Sequence, residues 1–195
     1  MDLARLRQET ALDHQSAEGS MALMTPALDQ CTYVTSLQRL YGFIRGWELW
    51  AETVPNSHFA DLLVNRRRSS LLEADLSHFS ADLPSTFYSG AKIPQVSLAP
   101  LLGALYVVEG STLGGQYIAR HVERVLGLQP CFGDAYFRGY GERTASMWQE
   151  LKSILGAVPE QESEHVIGAA RMLFVDFAAW MTQPLPGTLE GRANE

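Results

Sequence analysis

The sequence predicts a single all-α domain, and three observations carry that reading. Apolar residues recur at three- and four-residue spacing along nearly the whole chain. No alternating apolar–polar run is long enough to make a useful strand. No linker, repeat or low-complexity stretch divides the 195 residues, a length that gives one domain a substantial core. Hydrophobic residues are 46% and charged residues 19%, the balance of a globular rather than a disordered chain.

The elements follow in order. Leu3, Leu6, Thr10, His14, Ala17 and Met21 share one stripe of an N-terminal helix. Tyr33, Leu37, Leu40, Ile44 and Ala51 mark a second, rich in aromatics (Tyr41, Phe43, Trp47, Trp50). A third is expected over residues 57–76. Residues 82–100 carry Pro84, Gly90, Pro94 and Pro100 and read as connection. A long helix is expected over 101–126, closed by the turn LGLQPCFGD with its Gly127, Pro130 and Gly133. Two more helices are expected over 135–155 and 160–181. The domain is thus expected to span 1–183, with a flexible tail at 184–195.

Charge and composition exclude several function classes. A net charge of −7 argues against nonspecific nucleic-acid binding. The one basic spot, NRRR at 65–68, reads as a solvated helix end. Cys31 and Cys131 form no metal motif and are expected to stay reduced. The opening MDLARLRQET lacks the apolar run of a signal peptide, and no stretch is apolar enough to span a bilayer. A soluble cytoplasmic protein is the expectation.

One stretch runs against its own helix. Residues 107–120 read VVEGSTLGGQYIAR, with Gly110, Gly114 and Gly115 between helical flanks. Each glycine costs a helix roughly 1 kcal/mol relative to alanine, so three cost on the order of 3 kcal/mol. With Gly103, Tyr106 and Tyr117, the residues Gly110 and Gly114 form one stripe. A stripe without side chains admits either a second helix or a flat ligand lying across the backbone. Ser111 and Thr112 hydroxyls, by taking backbone carbonyls, also favour a kink there. On the N-terminal stripe, His14 has Glu18 one turn later and Arg7 two turns earlier. A helical histidine on an apolar face is usually a core residue. A carboxylate at i+4 is also how an axial metal ligand is oriented, holding one ring proton so that the other nitrogen is free. Arg7 on the same side suits an anionic edge of a ligand.

Taken together, LDHQSAEGSM (12–21) and YVVEGSTLGGQ (106–116) resemble heme oxygenase, particularly the bacterial enzymes associated with bacteriophytochromes. The resemblance extends over most of the chain in length and helix order. It implies a heme oxygenase-like bundle with heme between a proximal N-terminal helix and a kinked, glycine-rich distal helix. It implies that His14 ligates the iron, with Glu18 as its acidic partner. Gly110 and Gly114 match the distal glycines that meet the heme face, and Gly115 is expected among the heme contacts beside them. Arg7 and Tyr106 match propionate contacts, and Arg143 lies near further basic contacts. Ser111 stands where the best-known members carry an aspartate that organises distal water; bacterial members likewise place a small polar residue there. The implied reaction is oxidative cleavage of heme to biliverdin, iron and carbon monoxide, using O2 and electrons from a ferredoxin or a reductase. A bacteriophytochrome is the implied receiver of biliverdin. Phe174, Phe177 and Trp180 are available to wall the porphyrin, although core packing is their more ordinary role. Two rivals remain at this level. A heme carrier without turnover would share every binding residue. A non-heme di-iron enzyme would use Glu162-x-x-His165, with Asp75-x-x-His78 as its nearest imitation of a second motif.

Overall fold

The structure, a computed structural model, describes residues 1–90 and 92–184. Among these residues every regular element is helical: α1 (Leu3–Glu9), α2 (Ala11–Met21), α3 (Gln30–Thr53), α4 (Ser57–Leu63), α5 (Ser69–His78), α6 (Leu98–Leu126), α7 (Thr144–Gly156) and α8 (Ser163–Thr182). Short 3₁₀ turns at Ala135–Arg138, Gly141–Arg143 and Glu160–Glu162 lead into the last two. The expected flexible tail lies outside the described residues from 185 onward.

Local chemistry sets the boundaries. Asp2, Asp29 and Asn56 cap α1, α3 and α4 by accepting from the amides of Ala4 (2.8 Å), Thr32 (2.7 Å) and Phe59 (3.0 Å). The amide bond from Thr32 holds the Asp29 carboxyl below its usual range. Pro100 sits in the first turn of α6, where a missing N–H costs no hydrogen bond. Gly127 ends α6 in the left-handed region (φ 71°).

Three expected helices are interrupted, each for a visible reason. The N-terminal helix turns at Thr10, whose hydroxyl donates to the Leu6 carbonyl (2.8 Å), a bond that competes with the helix's own ladder. The expected 57–76 helix is two, because Glu48 of α3 caps α5 from outside. Its carboxylate accepts from the amides of Arg68 (2.7 Å) and Ser69 (3.0 Å) and from the Ser69 hydroxyl (2.5 Å). The expected 135–155 helix begins as 3₁₀ turns, since Asp75 accepts from the amides of Ala135 (2.8 Å) and Tyr136 (2.9 Å) and fixes them there.

The basic spot at 65–68 is not a solvated helix end. Arg67 alone lies outward, paired with Glu52 at 2.8 Å. Arg66 and Arg68 are buried. Arg66 pairs with Glu109 of α6, donates to the Met147 carbonyl (3.2 Å) and reaches Glu150 (2.8 Å). Tyr140 donates to the other Glu109 oxygen (2.5 Å). Burial and the Glu109 charge raise the Tyr140 phenol, with Arg68 opposing.

Helix α8 is the central support, packing along both α6 and α2. Gly103 lets α6 and α8 come this close: a Cβ there would stand 2.1 Å from the Val166 carbonyl oxygen. Up to Glu109 the long helix is buried on nearly every side; from Gly110 one face opens.

Candidate functional site

Helices α2 and α6 both lie on α8, and one hydrogen bond links α6 to the segment that follows α2. At one end Tyr106 of α6 lies near Arg7 and Thr10, where α1 passes into α2. Burial pushes its phenol upward, while the Thr10 hydroxyl and the Arg7 charge pull it back. At the other end His121 of α6 reaches the Thr25 carbonyl through Nε2 (3.0 Å). Along the chain His14 and Ala17 of α2, and Gly110, Gly114 and Tyr117 of α6, lie between these two places.

His14 is the one exposed member of a stripe whose other central residues, Leu6, Thr10 and Ala17, are buried. Its side chain is 51% exposed, and the Glu18 carboxylate lies 3.7 Å from Nδ1. That is ion-pair range and too long for a hydrogen bond. The edge of Phe174 on α8 meets the imidazole at 5.4 Å between centroids and 86° between planes. Glu18 thus lies on the Nδ1 side of the ring, and Phe174 props it.

One face of α6 is bare backbone. A Cβ on Gly114 would meet nothing within 4 Å, and one on Gly110 would meet only the Trp148 ring at 3.9 Å. Leu113 and Tyr117 beside them are 43% and 69% exposed. The expected stripe thus divides. Gly110 and Gly114 lie open, whereas Gly103 packs on α8. Gly115, expected among the ligand contacts, is buried instead against the first 3₁₀ turn, its Cβ position 2.4 Å from the Phe137 carbonyl oxygen. A packing glycine and an open glycine look identical in sequence.

Ser111 and Thr112 donate to the carbonyls of Val108 (2.7 Å) and Glu109 (2.7 Å). These are the side-chain bonds expected at a kink, yet α6 runs as one unbroken helix through the stretch. The Ser111 proton is therefore already used, and the hydroxyl's remaining capacity is as an acceptor. Arg7 and Tyr106 stand together at the rim. Arg143 is exposed at the foot of α7, its carbonyl accepting from Ser146 (2.9 Å).

Two side chains at the site carried no pattern of their own. Trp148 of α7 lies beside both Gly110 and Tyr106, its ring 5.7 Å from the tyrosine's. Arg68 reaches the back of α6 at Ser111 (3.1 Å). Of the aromatics on α8, only Phe174 meets the site. Phe177 packs on Phe43, and Trp180 donates to the Arg39 carbonyl (2.8 Å). The di-iron reading loses its parts. Asp75 is spent on backbone amides, and Glu162 and His165 pair at the surface (3.0 Å). Among the described residues no group of three or more His, Cys, Asp or Glu could hold a metal ion.

The structure thus holds an exposed imidazole on α2, a stretch of α6 without side chains, and an arginine near Tyr106. The structure resembles heme oxygenase from Leptospira interrogans at TM-score 0.78 and 21% identity, covering 93% of this chain and 99% of that one. It resembles the heme oxygenase from Neisseria meningitidis at TM-score 0.73 and 16% identity, covering 95% and 96%. It resembles heme oxygenase-1 from the cyanobacterium Synechocystis, solved in complex with heme, at TM-score 0.68 and 16% identity, covering 91% and 89%. A search of curated proteins finds no significant match. The family model for heme oxygenase matches residues 2–183, so the chain belongs to the heme oxygenase family, whose members degrade heme to biliverdin.

Proposed function

We propose that heme is held between α2 and α6, with His14 as iron ligand, and is cleaved there. The observation that carries this reading is the pairing of an exposed, Glu18-oriented His14 with the open backbone at Gly110 and Gly114. Heme supplies both the iron that activates oxygen and the ring that is opened, yielding biliverdin, iron and carbon monoxide. The chain's own residues do the rest. Glu18 on the Nδ1 side favours the tautomer that leaves Nε2 unprotonated for ligation. Gly110 and Gly114 let the macrocycle approach backbone, where no side chain competes for the space beside the iron. Phe174 and Trp148 line the flanks. Arg7 and Tyr106 offer one charge and one hydroxyl to the propionates, which fixes the in-plane rotation of the ring and hence the bridge that is opened. Arg143 is a further candidate at the rim. Ser111, an acceptor, anchors a water by receiving its proton, so proton delivery runs through water rather than through a side-chain acid.

Electrons are proposed to come from a ferredoxin or a reductase, and the product to pass to a bacteriophytochrome. The likeness of the glycine motif to phytochrome-associated enzymes supports both, and a cytoplasmic setting is proposed with them. Among the described residues no helix is long and apolar enough to cross a membrane. The test is an optical titration with hemin followed by a reductase and its donor in air. One heme per chain, decay to a biliverdin spectrum and release of carbon monoxide are expected. Heme that stays intact through repeated reduction in air would make the chain a carrier.

A further inference from the structure

Arg68 stands behind the open face of α6. It is 1% exposed, and among the described residues no carboxylate lies within 4 Å of its guanidinium nitrogens. Its Nη2 donates to the Val108 carbonyl (2.7 Å) and to the Ser111 hydroxyl (3.1 Å). The guanidinium lies 4.9 Å from the centroid of the Tyr136 ring and 5.7 Å from that of Tyr140. Its Nε has no partner. Burial works against the charge, but Tyr136, Tyr140, Glu109 and Glu48 outweigh it, so the group stays protonated. A buried cation with a spare donor is costly unless its field is used. A helix tie alone would be served as well by a neutral amide.

We propose that Arg68 is a positioning residue for the distal side. It donates to Ser111 and thereby commits the Ser111 proton to Val108, and it projects its positive charge through that hydroxyl onto the face of α6 between Val108 and Gly110. Three bonds among Arg68, Ser111 and Val108 close a triangle, leaving the serine oxygen one lone pair turned outward. A water received there presents its other proton onward. Negative charge that develops at the distal face is met by an oriented water backed by a fixed cation in a dry surrounding, where charge acts strongly. This rests on α6 being the distal wall of the heme site.

The test uses carbon monoxide on the ferrous heme complex as a field probe, read by infrared spectroscopy. A positive field at the carbon monoxide oxygen lowers its stretching frequency. Arg68→Met should raise it, Arg68→Lys should fall between, and Ser111→Ala should raise it in the same direction. On a Ser111→Ala background, Arg68→Met should add little, because the two act as one unit. An unchanged frequency in Arg68→Met with a lowered melting temperature would reduce Arg68 to a structural strut and overturn the proposal. Additive shifts in the double variant would overturn the route through Ser111. If Arg68→Met does not fold, an unshifted frequency in folded Arg68→Lys and Ser111→Ala overturns it equally. Failure of the unmodified protein to bind heme one to one would remove the underlying site itself, a result distinct from all of these.

Discussion

Alanine substitution along α6 separates the two kinds of glycine by sign. At Gly114 the added methyl meets nothing within 4 Å, and at Gly110 it makes an ordinary 3.9 Å contact with Trp148. Each replacement therefore recovers the helix penalty of glycine, about 1 kcal/mol. In a chain of this size that raises the melting temperature of the heme-free protein by about 2–4 °C. The heme complex should not share the gain, because in the proposed site the methyl stands where the macrocycle would lie. Affinity then falls by at least the same ~1 kcal/mol, roughly fivefold. At Gly103 and Gly115 the methyl would stand 2.1 and 2.4 Å from backbone carbonyl oxygens. Those two substitutions should destabilise by about 1–3 kcal/mol or more. Differential scanning fluorimetry of the heme-free variants and hemin titration of the same samples give both quantities. A lowered melting temperature in Gly114→Ala, or unchanged hemin affinity in both Gly110→Ala and Gly114→Ala, would refute the reading of the open face.

Further outcomes are expected elsewhere. His14→Ala should abolish the axially ligated spectrum of the heme complex, with exogenous imidazole restoring part of it; a spectrum identical to the unmodified protein moves the ligand elsewhere. Arg7→Ala and Tyr106→Phe should weaken hemin binding about threefold to tenfold, the loss limited by solvent at the exposed rim, and should change the mixture of biliverdin isomers. Identical isomers and affinity in both variants would remove the pair from the site. The buried Asp134 carboxyl is pushed up to about 6 by burial and by Glu123, against the pull of Arg138. The folded chain thus holds that proton more tightly than the unfolded chain. Its contribution is full below the ordinary carboxylate range and is lost as pH rises through about 6. Urea titrations should show the stability of the unmodified protein falling relative to Asp134→Asn by up to about 3 kcal/mol between pH 4 and pH 7. A difference that stays flat with pH would contradict the raised carboxyl.

The sequence revealed those features that depend on neighbours along one helix. The spacing of Leu37, Leu40 and Ile44 defined α3, and the glycine cluster marked a place on α6 where side chains are absent. His14 and Glu18 are one turn apart, so their partnership is visible as letters. Features made by distant residues were hidden. Nothing in NRRR distinguishes Arg67 from the two arginines beside it. Arg68 is fixed where Glu48, twenty residues earlier, takes its amide at the start of α5, and Arg66 is held inward by Glu109 of α6. The same limit divided the long helices: a cap supplied by Glu48 or Asp75 from another element leaves no local signature. It also hid Trp148, which reads as one more core aromatic until α7 is laid beside Gly110.

The bond from His121 to the Thr25 carbonyl has a mechanical meaning. It tethers the segment that leaves α2 to the far part of α6, beyond the stretch where Gly110 and Gly114 lie bare. A tether at one end of a gap acts as a stop, limiting how far the walls part without filling the space between them. Thr25 and His121 are not among the proposed ligand contacts, so the pair acts on the gap from outside it.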